Sequence, residues 1–226
     1  MPELHAAAQG DGQPRALLET IASEVADWSG SDGLLLAVDG VSGAGKSTFA
    51  DALANTIRNA GQTVIRASID GFHRPKARRY RMGRDSPDGH YLESYDYEAF
   101  KTELLDPLSA GGSRLYRTAI FDCASDSAVE STRRTAANDS ILIVDGLFLQ
   151  RDELRNYWDR SIFLDVSFDI AIRRCAKRDG TNDDYRHPSN RRYVEGETRY
   201  LKECRPRDRA SIVIDNSDLS RPVRLR

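Results

Sequence analysis

One stretch of eight residues, Gly40-Val41-Ser42-Gly43-Ala44-Gly45-Lys46-Ser47, limits the folds open to this chain more than any other feature. It satisfies the pattern G-x-x-x-x-G-K-[ST] in full. Its flanks agree with it. The apolar run Leu34-Leu35-Leu36-Ala37-Val38-Asp39 comes before it, and a helical pattern over residues 46–59, stopped by Gly61, comes after. A short, continuously apolar run reads as a strand buried on both faces, the kind a parallel sheet uses. The glycines let the chain turn tightly with its N–H groups facing inward as an anion nest. The helix that follows adds the positive end of its dipole. Lys46 is placed to reach β- and γ-phosphates, Ser47 to ligate Mg²⁺ through its hydroxyl, and Thr48 to continue the helix start. The predicted cofactor-binding positions are thus Gly40, Ser42, Gly43, Ala44, Gly45, Lys46, Ser47 and Thr48. A Gly-rich turn can also bind nothing, but motif and flanks together favour phosphate.

The rest of the chain fits this frame. Residues 1–13 read as a mobile Ala/Gly/Gln-rich lead-in, and Pro14 opens a helix carrying Leu17, Leu18, Ile21, Val25 and Trp28. Strands are predicted over 63–69, 141–145, 161–166 and 212–214, and helices over 97–108, 149–158, 170–178 and 190–203. Residues 114–122 and 128–136 read as a hairpin. Residues 71–94 lack apolar periodicity and read as a long ordered loop or flap, a feature usually tied to function. Alternation of strands and helices predicts an α/β chain of P-loop NTPase fold: a mostly parallel sheet flanked by helices, with a flap and lid around the site. The expected division is a lead-in and helix (1–30), one domain (31–217) and a polar, basic tail (218–226).

Three acids end predicted strands: Asp39, Asp70 and Asp145. Open α/β sheets bind ligands outside the carboxyl ends of their strands, so these acids fall near one edge. Asp145 follows four apolar residues, the pattern that delivers a carboxylate to a metal ion or its waters. Asp70 is the candidate base for a hydroxyl acceptor. Ser47, Asp70 and Asp145 form the expected metal-side set. Arg173, Arg174, Lys177 and Arg178 lie at helical spacing before Gly180 and could neutralise a transferring phosphoryl group or form a solvated helix face. Arg178 is assigned to catalysis with Lys46, and Arg174 to nucleotide binding. Arg74, Lys76, Arg78, Arg79, Arg81 and Arg84 crowd the flap. They read as a hold for an anionic substrate, an RNA contact or a solvated surface, and Arg74 is kept as a site residue. His73 reads as a base or a local hydrogen-bonding residue.

Charge narrows the partners. The 33 Lys and Arg nearly cancel the 35 Asp and Glu, for a formal net charge of −2, which argues against a general polyanion binder. Cys123, Cys175 and Cys204 are far apart and form no C-x-x-C, so neither a disulfide framework nor a zinc site is suggested. No apolar run is long enough to span a bilayer and the start lacks a signal-peptide pattern, so a soluble, cytoplasmic protein with no membrane partner and no stable nucleic-acid partner is expected.

The combination of residues 40–47, Asp70-Gly71-Phe72-His73-Arg74-Pro75, Val144-Asp145-Gly146 and residues 173–179 resembles the uridine kinase/phosphoribulokinase family, a wider group that includes pantothenate kinase. The resemblance runs from about residue 34 to about residue 216, and the Asp70–Pro75 stretch is its more specific part. It implies transfer of phosphate from ATP or another NTP, with Mg²⁺, to a small-molecule hydroxyl. It places the catalytic base on Asp70, a ribose-holding pair on Tyr95-Asp96, the base-pocket segment on Phe121-Asp122-Cys123, and lid arginines in 173–179. The implied acceptor set is Asp70, Phe72, His73, Arg74, Tyr95, Asp96 and Phe121. Family members are often oligomers, which leaves room for a homo-oligomer. Asp145 stands where uridine kinases usually carry Glu, Phe121 where they carry Tyr, and Asp126 or its neighbours where they carry His. The last two changes remove polar groups from the base pocket.

The expected activity is an ATP-dependent kinase for the 5′-hydroxyl of uridine or cytidine, as in pyrimidine salvage. The alternative within the family is another acceptor: pantothenate, nicotinamide riboside, a sugar or a sugar phosphate. A P-loop switch or binding module would carry a guanine-reading N-K-x-D segment, which this sequence lacks. A nucleic-acid-dependent ATPase would need a second large domain or a basic face.

Overall fold

The computed structural model describes residues 12–226, so the predicted lead-in lies outside the described residues as far as residue 11. The apolar spacing around Leu17 and Val25 forms α1 (Gly12–Trp28), with Ile21 and Val25 fully buried. Then come β1 (Leu34–Gly40), α2 (Lys46–Asn59) and β2 (Val64–Ser68). The flap holds two short helices, α3 (Lys76–Arg79) and α4 (Pro87–Glu93). Next, α5 (Tyr97–Phe100) runs through a π-helical turn, Lys101–Leu105, into α6 (Asp106–Leu108). An arm follows, made of β3 (Leu115–Tyr116), β4 (Phe121–Asp122), β5 (Ser127–Ala128) and β6 (Arg134–Thr135). The chain closes with β7 (Ile141–Gly146), β8 (Arg160–Asp165), α7 (Phe168–Asp179), α8 (Arg191–Cys204), α9 (Pro206–Arg209), β9 (Ile212–Asp215) and β10 (Val223–Arg224).

The main sheet has the order β10-β9-β8-β1-β7-β2, parallel except for β10. Pleating sends alternate residues of β1 to opposite faces. Leu34, Leu36 and Val38 pack with Ile21, Val25, Leu53 and Ile57 of α1 and α2. Leu35 and Ala37 pack on the other face with Phe72, Phe100, Phe148 and Tyr200. Helices thus cover both faces, as the continuously apolar strands require. Register puts Asp145 of β7 between Val38 of β1 and Ser68 of β2. The carboxyl ends of β1, β2 and β7 therefore meet at one edge. Among the described residues, no helix is long and apolar enough to cross a membrane.

Four local expectations change. Part of the flap is helical: Ser86 Oγ accepts the Gly89 amide at 3.0 Å and Pro87 opens α4. Its buried face is His90, Tyr91 and Glu93, largely polar, so apolar periodicity could not show it. Residues 149–158 form no long helix but one 3₁₀ turn, Arg155–Tyr157. A side chain occupies a carbonyl that a helical ladder would use: Trp158 Nε1 donates to Leu149 O at 2.7 Å, while the Gln150 amide, free of the ladder in a first turn, donates to Tyr200 Oη at 2.9 Å. The arm pairs antiparallel as a hairpin would, but in two separate two-residue ladders. The basic stretch after Ser217 supplies β10, which adds to the sheet edge when the Leu225 amide donates to Val213 O at 2.8 Å.

Candidate active site

The loop after β1 is shaped by glycines at positive φ. Gly43 (φ +78°) lies so close to α7 that a Cβ there would stand 2.2 Å from Ala171 O. Gly45 (φ +90°) caps α2 in the left-handed region. With Ser42, Lys46, Ser47 and Thr48, these two glycines line a cavity of about 220 Å³. Lys46 Nζ donates to Val41 O at 2.8 Å, its head held at the loop. Gly40 and Ala44, predicted as phosphate positions, do not line the cavity. Asp39 takes the Gly40 amide at 2.7 Å, and Val41 O takes the Ala44 amide at 3.1 Å.

Asp70, Asp145, Leu147 and Arg178 line the same cavity. Asp145 is buried, 2% exposed, and accepts Ser47 Oγ at 2.5 Å and Arg66 Nη2 at 2.7 Å. Arg66 Nε also pairs with Asp51 at 2.9 Å. Among the described residues, no group of three or more His, Cys, Asp or Glu is arranged to hold a metal ion. The donors at hand are a hydroxyl and carboxylates. That hard, oxygen-only set suits Mg²⁺, which is usually held by one or two carboxylates together with substrate phosphates and water.

Asp70 sits in the 3₁₀ turn Ile69–Phe72 that follows β2. Its side chain is 67% exposed and accepts Tyr95 Oη at 3.1 Å. Tyr95 is buried, and burial together with the Asp70 charge pushes its hydroxyl pKa well up, so it stays a donor. His73 Nδ1 lies 2.9 Å from the Asp70 carbonyl oxygen and its ring packs on Tyr95 at 4.6 Å. Burial pushes its pKa down. The geometry of His73 is that of a local hydrogen bond.

Other predicted site residues are employed elsewhere. Phe72 is fully buried, edge-on to Phe100 at 5.0 Å, and faces the core rather than an acceptor. Arg74 donates to Glu93 at 2.8 Å, and Arg78 and Arg81 converge on the same carboxylate. Three guanidinium groups on one carboxylate leave that cluster net positive. Asp96 caps α5 by accepting the Ala99 amide at 3.1 Å. Phe121 is buried at the base of the arm. Arg174 does not line the cavity; it binds the carbonyls of Gly43, Asn216 and Ser217 at 3.4, 2.9 and 2.8 Å. Arg178 lines the cavity while holding Asp179 through two bonds, at 2.7 and 2.8 Å.

Behind the loop, Asp39 is buried and accepts Tyr200 Oη and the Gly40 amide. Burial pushes its carboxyl up to about 6, against those two hydrogen bonds, which pull it down. In an unfolded chain the group titrates near about 3.9. A raised native value means that the folded state binds the proton more tightly, so this residue weakens the fold as pH rises from about 4 through about 6. Tyr200→Phe removes a donor to the charged form. It should cost about 1–3 kcal/mol at pH 8 and clearly less at pH 5, where native Asp39 is largely protonated. Thermal melts at the two pH values test this, and equal losses would show that Asp39 does not titrate there.

Arg66, Tyr200, Glu197 and Asn216 escaped sequence reasoning. A lone arginine inside the strand-like run at 63–69, and an asparagine just past the last predicted strand, were the available signals for two of them.

A strand ending in a glycine loop, a lysine and hydroxyl at the start of α2, and two carboxylates from neighbouring strand ends suit phosphoryl transfer. The model of the Phosphoribulokinase / Uridine kinase family matches residues 35–187. The chain belongs to that family. It is 25% identical over 198 residues to a uridine kinase of Leuconostoc citreum, covering 80% of this chain and 90% of that one. It is 28% identical over 147 residues to a uridine kinase of Streptococcus uberis, covering 65% of this chain and 67% of the relative. A solved structure described as a possible uridine kinase from Bacillus stearothermophilus superposes with a TM-score of 0.71 at 26% identity, over 88% of this chain and 97% of that one. The family's members are kinases, so this protein is a phosphotransferase acting on a hydroxyl group of a small molecule, built on the P-loop fold.

Proposed function

We propose that this kinase transfers the γ-phosphoryl group of ATP, with Mg²⁺, to the 5′-hydroxyl of uridine or cytidine. The observation that carries the transfer is the cavity itself: the exposed Asp70 carboxylate, steadied by Tyr95, lines the same cavity of about 220 Å³ as Lys46 and the loop. In this reading the loop amides and Lys46 hold the phosphates. Ser47 and Asp145, and Asp70 at the edge, serve the cation, whose chemistry is to neutralise charge on the phosphate oxygens. Asp70 accepts the hydroxyl proton as the oxygen attacks, and Arg178 faces the charge that develops on the transferred group. The uridine preference rests on relatives named uridine kinases, and the cytidine one on an Arabidopsis thaliana relative named a uridine/cytidine kinase.

One observation favours a different acceptor for the same chemistry. Asp126, in the segment where the family carries a polar base-pocket group, is already used. It accepts the Lys76 amide at 2.8 Å and Arg79 Nη2 at 3.2 Å, and Phe121 offers no hydroxyl. An acceptor read without pyrimidine-specific polar contacts fits that wall: pantothenate, nicotinamide riboside, a sugar or a sugar phosphate. ATP consumption measured against a panel of nucleosides, vitamins and sugars decides between the readings. Turnover with uridine or cytidine at the highest kcat/KM is the expected result. Turnover confined to a non-nucleoside would move the acceptor and keep the kinase, and no turnover with any alcohol would remove both.

A further inference from the structure

Three side chains from three separate places hold the phosphate loop from outside the cavity. Asn216, just past β9, donates to Ala44 O at 2.7 Å. Arg174 of α7 reaches Gly43 O at 3.4 Å. The third contact is of a different kind. Glu197 of α8 takes the Ser42 amide on one carboxylate oxygen at 2.9 Å and the Ser42 hydroxyl on the other at 2.5 Å.

A carboxylate against an anion-binding loop is an expensive placement. It is 1% exposed, so its charge has lost its water, and it repels any phosphate nearby. His90 Nε2 of α4 lies 3.5 Å from Glu197 Oε1 without completing a hydrogen bond, and His90 Nδ1 lies 3.3 Å from Ser94 Oγ. Gly196 lets α8 come this close to α4: a Cβ there would stand 2.9 Å from Pro87 O and 3.1 Å from His90 Cδ2. Burial pushes the Glu197 carboxyl up, but His90, Ser42 and Lys46 together hold it below its ordinary value.

We infer that Glu197, backed by His90, is a positioning residue for phosphoryl transfer, fixing the Ser42 amide and thereby tying the phosphate loop to the flap helix α4. This rests on the reading of the cavity as an ATP site. A nest works only if its peptide planes keep their orientation. Two acceptors from one rigid group set the plane at Ser42 and leave the following amides and Lys46 one arrangement toward the nucleotide. Dipoles fixed in advance need no reorganisation at the moment of transfer. Glutamine keeps the shape of Glu197, but one of its two head atoms is a donor, so it cannot accept from both the amide and the hydroxyl of Ser42.

The test measures ATP·Mg²⁺ affinity by calorimetry, and kcat and KM for ATP, below each variant's melting midpoint. Glu197→Gln should lower kcat/KM for ATP on the order of tenfold to a hundredfold, the scale of a small misplacement of reacting groups. His90→Asn should lower it in the same direction although His90 touches no loop atom, and it carries the comparison if Glu197→Gln folds poorly. Ser42→Ala combined with Glu197→Gln should lose less than the product of the two single losses, because they break one contact. Glu195→Gln, on the exposed side of α8 where Glu195 pairs with Arg191 at 2.8 Å, should match the wild type. A folded Glu197→Gln protein with wild-type ATP affinity and kcat, or fully multiplicative losses with Ser42→Ala, overturns this inference alone. A wild-type protein that binds no ATP overturns the ATP reading and this inference with it.

Discussion

Asp70→Asn should lower kcat by about 10²–10⁴-fold, the usual contribution of a positioned base, with ATP affinity nearly unchanged. Its carboxylate is 67% exposed at the cavity, and the His73 ring stands 3.9 Å away. Tyr95 donates to one of its oxygens and keeps the carboxylate aimed. Asparagine can still accept that bond through its amide oxygen, so the geometry survives while the capacity to take a proton is lost. In the proposed reading the nucleotide is gripped by Lys46 and the loop, which line the same cavity. Steady-state kinetics with the best acceptor from the panel, together with ATP titration, separate the two effects. A variant that retains more than about a tenth of wild-type kcat would remove Asp70 from the base role. A parallel loss of Mg²⁺-dependent ATP affinity would show that its part at the cation outweighs the base role. Tyr95→Phe should fall in the same direction by a smaller factor, because it loosens the carboxylate without removing it.

The parts of this site that could be read in advance depend on local rules. A positive-φ glycine loop between a buried strand and a helix follows from the chain itself, and so does the clustering of acids at strand ends in a parallel sheet. What escaped depends on partners far away in sequence. Phe72 sits two residues from Asp70, and the family resemblance placed both in the acceptor set, but a 3₁₀ turn sends the two side chains to opposite sides: one to the cavity, one to Phe100. The basic run from Arg74 to Arg81 left an anionic-substrate hold, an RNA contact and a solvated surface open, but Glu93 collects three of its members. No pattern in residues 71–94 marks Glu93 as their centre. Helix α4 was hidden because the face it buries carries His90 and Glu93, whose partners lie on α8 and along the flap. Arg66 and Asp145 are 79 residues apart, and only the pairing of β2 with β7 brings them together.

That last pair should give the largest stability effect of any single change at the site. Arg66 is 16% exposed and Asp145 3%, so Arg66→Met leaves a buried carboxylate with Ser47 as its remaining side-chain partner. Breaking a buried ion pair from one side typically costs about 3–5 kcal/mol. For a chain of this size each kcal/mol shifts the melting midpoint by about 2–4 °C, so a drop of about 6–20 °C is expected. Replacing both partners, Arg66→Met with Asp145→Leu, should recover much of that stability because no charge is stranded, yet recover no activity. Magnesium gives an independent readout. With its arginine gone, the Asp145 carboxylate is uncompensated and should favour a cation more strongly. Added Mg²⁺ should therefore raise the melting midpoint of Arg66→Met by more than it raises that of the wild type, since at a given concentration a ligand stabilises the folded state more the more tightly it binds. A variant that melts within about 2 °C of the wild type would show that the pair is worth no more than a surface salt bridge. An equal Mg²⁺ response in both proteins would show that Asp145 is not where the cation is held.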